Sequence, residues 1–166
     1  MFGVLRRHSA STGEREEPAA RKHRLACWLV VLSVLGIALT SCETTRAERD
    51  YVIGLINQSR AAYGIHPLIE NGELDMKAER WAQHLRDTCS LYHSHLPDGI
   101  SYYWLKLGEN VGYGGSIGTI HNAYMASSGH RANILDPAFR YVGAASVKGY
   151  CGGYLRTYTV QVFMRL

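Results

Sequence analysis

The chain changes hydrophobic period once, and that change governs what it can fold into. Leu74, Ala78, Trp81, Ala82 and Leu85 recur at helical spacing. Residues 154–166 instead alternate, with Tyr158, Val160, Val162 and Met164 on one side and Thr159, Gln161, Phe163 and Arg165 on the other. One pattern cannot serve as the other, because side chains share a face about every 3.6 residues on a helix and every two on a strand. Helices first and antiparallel strands last predict the α+β class. The helices are expected from near Glu48 to before Gly64, over 71–88 and over 117–126, with a helical turn through 130–135 stopped by Asp136-Pro137. Ser127-Ser128-Gly129 is expected to separate the last two. On the second helix Glu73, Lys77, Glu79, Arg80 and Arg86 are expected to supply the solvated side. Strands are expected over 141–147 and 154–166, joined by a hairpin connection at 149–153. The stretch 90–118, with Gly108, Gly112, Gly114, Gly115 and Gly118, is expected to hold tight turns and close backbone approaches.

Residues 1–41 read as a leader. Arg21, Lys22 and Arg24 precede a 16-residue uncharged run, 25–40. That is shorter than the roughly 20 residues that span a bilayer and has the order of an export signal. Leu39-Thr40-Ser41-Cys42 resembles a bacterial lipobox, in which the Cys is acylated and becomes the new N-terminus. The alternative is an ordinary cleaved signal or signal anchor with Cys42 incidental. The division expected is a signal at 1–41, lipid attachment at Cys42, a short tether at 42–46 and a domain at 47–166.

Charge divides the same way. The chain carries a formal +4. Residues 1–41 hold six Lys/Arg against three acids, which leaves twelve against eleven for the remainder. The mature part has no basic stripe and no nucleic-acid motif, so no nucleic-acid partner is expected. Cys27 falls in the leader, so beyond Cys42 only Cys89 and Cys151 remain. In an oxidising compartment they can form one disulfide; the alternative is two buried thiols.

His93, His95, Glu109 and His130 are the candidate chemical residues. Imidazole and carboxylate can ligate a metal, or form a hydrogen-bonded pair. Sequence spacing does not bring them together. There is no HExxH, G-x-S-x-G or P-loop pattern.

An ordered set of short motifs resembles the bacterial branch of the CAP superfamily, which groups cysteine-rich secretory, antigen 5 and pathogenesis-related-1 domains. The set comprises Ile56-Asn57-Gln58-Ser59-Arg60, Gly64, Pro67-Leu68, His93-Ser94, Gly108-Glu109-Asn110-Val111-Gly112, Ser128-Gly129-His130-Arg131-Ala132-Asn133-Ile134-Leu135, Gly143 and Gln161-Val162-Phe163. It covers about 47–166. The resemblance implies a three-layer α-β-α sandwich with a central antiparallel sheet. Asn57, Arg60, Gly108, Asn110, Gly129, Arg131, Asn133 and Gln161 fall on motif positions with structural roles. Many family members line a cleft with two His and two Glu that can hold a divalent metal. Here His93 and Glu109 match the first His and Glu. The stretch 122–126 has no acid where the second Glu belongs, and Tyr158 stands where the second His belongs. The cleft candidates are therefore His93, Glu109, His130 and Tyr158. No catalytic residue and no cofactor is expected, a divalent metal at His93 and Glu109 being the weaker alternative.

These readings imply an exported protein of the bacterial cell envelope, held to the membrane through acylated Cys42. Its domain is expected to be a non-enzymatic binding module for a small apolar, lipid or glycan ligand. The alternatives are a structural or protein–protein module of the envelope and a metal-assisted hydrolase.

Overall fold

The structure, a computed structural model, describes residues 43–166. The expected signal, Cys27 and the attachment Cys42 lie outside the described residues. Helix α1 spans Arg46–Ala62. Thr45 caps it, accepting from the Glu48 N–H, while the Glu48 carboxylate accepts from the Thr45 N–H. Strand β1 is two residues, Ile69–Glu70. Helix α2, Gly72–Thr88, starts after Asn71, whose side chain accepts from the N–H groups of Glu73 and Leu74. It ends at Cys89, which takes a left-handed conformation with φ 50° and is disulfide-bonded to Cys151.

Strand β2, Lys106–Gly114, runs through the stretch expected to be turns. The glycines do mark close approaches, but inside a strand. A Cβ at Gly108 would stand 2.9 Å from the Phe139 ring, and one at Gly112 2.8 Å from Tyr124. Their lack of side chains hid the alternation that identifies a strand. Helices α3, Ile117–Ala126, and α4, Ser128–Ile134, are divided by Ser127 alone. One extended residue breaks the helix there, so α4 begins earlier than the expected turn. Strands β3, Tyr141–Cys151, and β4, Tyr154–Arg165, close a hairpin at Gly152 and Gly153, both with positive φ.

The sheet order is β1-β3-β4-β2. Its three long strands are antiparallel, and β1 adds a two-residue parallel edge to β3. The register sends Tyr158, Val160, Val162 and Met164 of β4 to one face, where they pack with Leu74, Ala78, Ala82 and Leu85 of α2. The opposite face holds Val142, Ala144 and Phe163 against Val52 and Ile56 of α1, Ile120 and Tyr124 of α3 and Ile134 of α4. The result is the expected α-β-α sandwich, with a separate apolar core on each side of the sheet.

Two features fix the layers. First, α2 touches β3 backbone to backbone. A Cβ at Gly143 would stand 2.1 Å from the Leu74 carbonyl carbon and 2.3 Å from the Asp75 nitrogen. Second, side chains close the β3 edge beyond β1. The Ala144 N–H donates to Asp75 at 2.9 Å, and Arg49 donates to the Ala144 carbonyl at 3.0 Å. Thr44 accepts from the Ser146 N–H at 2.8 Å and donates to its carbonyl at 3.2 Å. Unpaired strand edges invite association, and here they are occupied.

Gly143→Ala is expected to destabilise the domain by about 3 kcal/mol or more, because two backbones must separate. Gly115→Ala, at a position with open space around it, is expected to change stability by less than about 0.5 kcal/mol. Urea unfolding of both variants checks this. The Asp75 edge contact also sets a pH dependence. Burial raises the Asp75 pKa from 3.8 to about 6, against the pull of the Ala144 N–H and Arg49. Between these values the folded chain holds a proton that the unfolded chain lacks, so stability from this group rises as pH falls from about 6 towards 4. The wild-type protein should therefore gain on the order of 1 kcal/mol over Asp75→Asn across that window, after allowance for solvent screening. Urea unfolding at both ends of the window measures it.

Candidate functional site

Glu109 lies on β2, the sheet edge, opposite Val162 and on the α2 face. Its side chain is 1% exposed. A buried carboxylate needs donors, and the loop after α2 supplies them. Ser94 donates its N–H to Glu109 Oε1 at 2.9 Å and its hydroxyl to Oε2 at 2.6 Å. His93 Nδ1 lies 2.8 Å from Oε1. The His93 ring itself is well exposed.

Lys77 secures the same loop from the helix. It was expected on the solvated side of α2, yet it is 4% exposed. Its ammonium donates to the carbonyls of His95 at 3.0 Å and Asp98 at 3.1 Å. Burial lowers its pKa, opposed by the charges of Glu109 and Asp98. The signal that marks it was present: Lys77 sits between Leu74 and Ala78, within the apolar stripe. His95 pairs with Asp98 at 2.7 Å in the exposed turn and stays apart from Glu109's donors.

His130 reaches the site from α4. Its ring lies 4.9 Å from that of Tyr124. Burial, then the nearby charge of His93, lowers its pKa. The two imidazoles thus flank the Glu109 edge of the sheet. What holds α4 there is a set of amides on the other face of β2. Asn110 donates to the His130 carbonyl at 3.1 Å and to Gln161 Oε1 at 3.0 Å. Asn133 donates to the Glu109 carbonyl at 3.1 Å and to Asn110 Oδ1 at 2.9 Å. Gly108 leaves room for Asn133 and Phe139.

The remaining motif residues act at a distance. Asn57 forms two hydrogen bonds with the Leu68 backbone, at 2.8 and 3.1 Å. Arg60 is fully buried and donates to the carbonyls of His66, Ile134 and Asp136. Gly129 has open space around it, and Arg131 is an exposed residue whose guanidinium reaches the Met125 carbonyl.

Tyr158 is not a cleft residue. It shares Glu109's face but pairs with Tyr113, four strand positions from the Glu109–Val162 pair, or about 13 Å. It is fully buried in the α2-side core, and its hydroxyl makes no hydrogen bond among the described residues. The register, invisible in sequence, put it there. A metal tetrad does not fit these residues. Both Glu109 oxygens already accept hydrogen bonds, and 122–126 supplies no second acid. Among the described residues no cluster of three or more His, Cys, Asp or Glu is placed to hold a metal. A cavity of about 420 Å³ opens beside Ser94, between α2 and the 94–99 loop, lined also by Lys77, Arg80, Trp81, His84, His95 and Asp98.

Three kinds of comparison bear on this architecture. Residues 53–163 match the sequence profile of the CAP, or cysteine-rich secretory protein, family. The uncharacterised protein YkwD of Bacillus subtilis is 29% identical over 106 residues, covering 58% of this chain and 41% of its own length. The chain thus spans about two fifths of that relative. Among solved structures, an outer surface protein of Borrelia burgdorferi superposes with a TM-score of 0.58 at 16% identity, over 70% of this chain and 90% of its own. An extracellular SCP-domain protein of Bacillus anthracis gives a TM-score of 0.55 at 20% identity, over 71% of this chain and 40% of its own. At these identities the structures share the fold.

Glu109→Gln keeps the shape but leaves an amide among donors. It is expected to cost about 1–3 kcal/mol and to speed amide exchange at Ser94. Chemical unfolding and hydrogen exchange measure both, and an unchanged Ser94 amide would contradict the clamp.

Proposed function

The chain belongs to the cysteine-rich secretory protein (CAP) family, and on that footing we propose that it is an exported, lipid-anchored envelope protein whose domain binds a small ligand and does not catalyse. The observation that carries the reading is the state of Glu109. Its two oxygens accept from Ser94 and His93, so it organises the loop and is not poised as a general base. Binding is supported by the adjacent cavity of about 420 Å³, a volume in the range of small-ligand sites. Its lining mixes one indole with cationic, imidazole and hydroxyl groups. The polar groups of Lys77, Trp81, His84 and His95 are already bonded within the protein, so the lining suits the small apolar, lipid and glycan classes alike.

Export is supported by the basic-flanked apolar leader, by the Cys89–Cys151 disulfide, and by the surface and extracellular settings named for two relatives. Lipid anchoring is supported by Leu39-Thr40-Ser41-Cys42. Among the described residues no helix is long and apolar enough to cross a membrane.

Native mass spectrometry of the protein taken from its host membrane tests the reading. The expected result is a retained small ligand that Trp81→Ala and Arg80→Ala lose while remaining folded. Turnover of an ester or peptide substrate that disappears in Glu109→Gln would overturn it in favour of a hydrolase.

A further inference from the structure

One end of the sheet meets the C-terminal end of α2, where Cys89 is bonded to Cys151 and Arg86 lies against Gly149. The β3–β4 hairpin carries Tyr150 and Tyr154, 74% and 72% exposed, and Leu155, 56% exposed. Tyr150 pairs with Leu155, and Tyr154 pairs with Cys151, so the three residues stand on both faces of one tip. Cations border it. Lys148 reaches Glu48 at 3.1 Å, and the Arg156 guanidinium lies 4.5 Å above the Tyr113 ring.

The start of the domain is oriented with respect to this tip. Thr44 is held to Ser146 of β3. From there α1 runs back along β3, through Arg49 at Ala144 to Arg60 at Ile134 and Asp136. Its axis therefore points away from the hairpin, and its N-terminal end at Thr44 is the end nearer to it. Cys42 precedes Thr44 by two residues, which span at most about 7 Å. Ser146 to Cys151 is about 17 Å along the strand. A second exposed aromatic group, Tyr102, Tyr103 and Trp104, leads into β2 at the far end of the sheet, where the Leu105 N–H meets Arg165. β4 alone separates the two ends by about 37 Å.

We propose that the β3–β4 hairpin is the membrane-contacting edge of the domain, with Tyr150, Tyr154 and Leu155 seated in the interfacial layer of the bilayer. This rests on the acylation of Cys42. A link this short forces the domain against the headgroups, and the hairpin offers the side chains suited to them. Tyrosine has an apolar ring and a polar tip and concentrates at membrane interfaces. Leu155 adds apolar area, and Arg156 can extend its guanidinium towards phosphate.

Hydroxyl-radical footprinting of the acylated protein in phosphatidylethanolamine–phosphatidylglycerol vesicles tests the proposal. Tyr103 is 84% exposed, so by accessibility alone it should label much as Tyr150 and Tyr154 do. The expected result is labelling of Tyr150 and Tyr154 several-fold slower than that of Tyr103. A Tyr150→Ser, Tyr154→Ser double variant should keep its Cys42 acyl mass and lose protection at Leu155. Equal labelling, or protection of Tyr102 and Tyr103 instead, overturns the orientation and leaves the anchor standing. An unmodified Cys42 by intact mass overturns the anchor and the orientation with it.

Discussion

The contact between α2 and β3 at Gly143 sets the geometry on which everything else depends. Helices usually stand off a sheet by the length of their side chains. Here the backbone of Leu74 and Asp75 lies on the strand itself, because position 143 has no side chain. The approach brings Asp75 within hydrogen-bond distance of the Ala144 N–H and so seals the β3 edge. It also fixes where α2 ends. The helix stops at Cys89, tied by its disulfide to Cys151 at the other end of β3. The loop that follows is then delivered to the β2 edge, where Glu109 receives it. The cleft is a consequence of how closely one helix can lie on one strand.

Buried charges in this domain are spent on backbone. Asp75 accepts from Ala144, Glu109 from Ser94, Lys77 donates to His95 and Asp98, and Arg60 donates to three carbonyls. Each ties an irregular segment to a regular element. Hydrogen bonds to charged groups are stronger than neutral ones, and removing one partner strands the other in a low-dielectric interior. The same logic decides the chemistry of the cleft. A carboxylate already held by two donors on Ser94 and by an imidazole is committed to positioning the loop, which suits a structural clamp. The imidazoles of His93 and His130 then provide a polar rim over a rigid floor.

How much of this was legible varies with the signal. The faces of α2 and β4 follow from period alone, since Leu74, Ala82, Val160 and Met164 sit where the pattern puts them. Strand β2 was not legible, because Gly108 and Gly112 stand at two positions facing α3, α4 and Phe139 and erase the alternation. Lys77 was misjudged by residue type, although its place in the apolar stripe pointed inward. Tyr158 was misjudged because motif alignment locates a residue along a strand only once the strand register is known. His93, Glu109 and His130 come together through loop and helix placement over 37 residues. No local pattern encodes that, and only the family resemblance connected them in advance.

The proposed orientation places the two parts of the site at different heights. Glu109 is level with Val162, eight strand positions from Tyr154 at the hairpin, or about 27 Å. With the hairpin seated at the membrane interface, Glu109 stands well beyond the headgroup layer, whereas the cavity reaches down α2 to His84, five helix positions or about 7.5 Å from Cys89 and its bond to Cys151. A ligand at the membrane surface therefore approaches by His84 and Trp81, and one in the space above approaches by Ser94. On the proposed orientation the cavity thus runs up from His84 on the membrane side towards the loop that Glu109 holds.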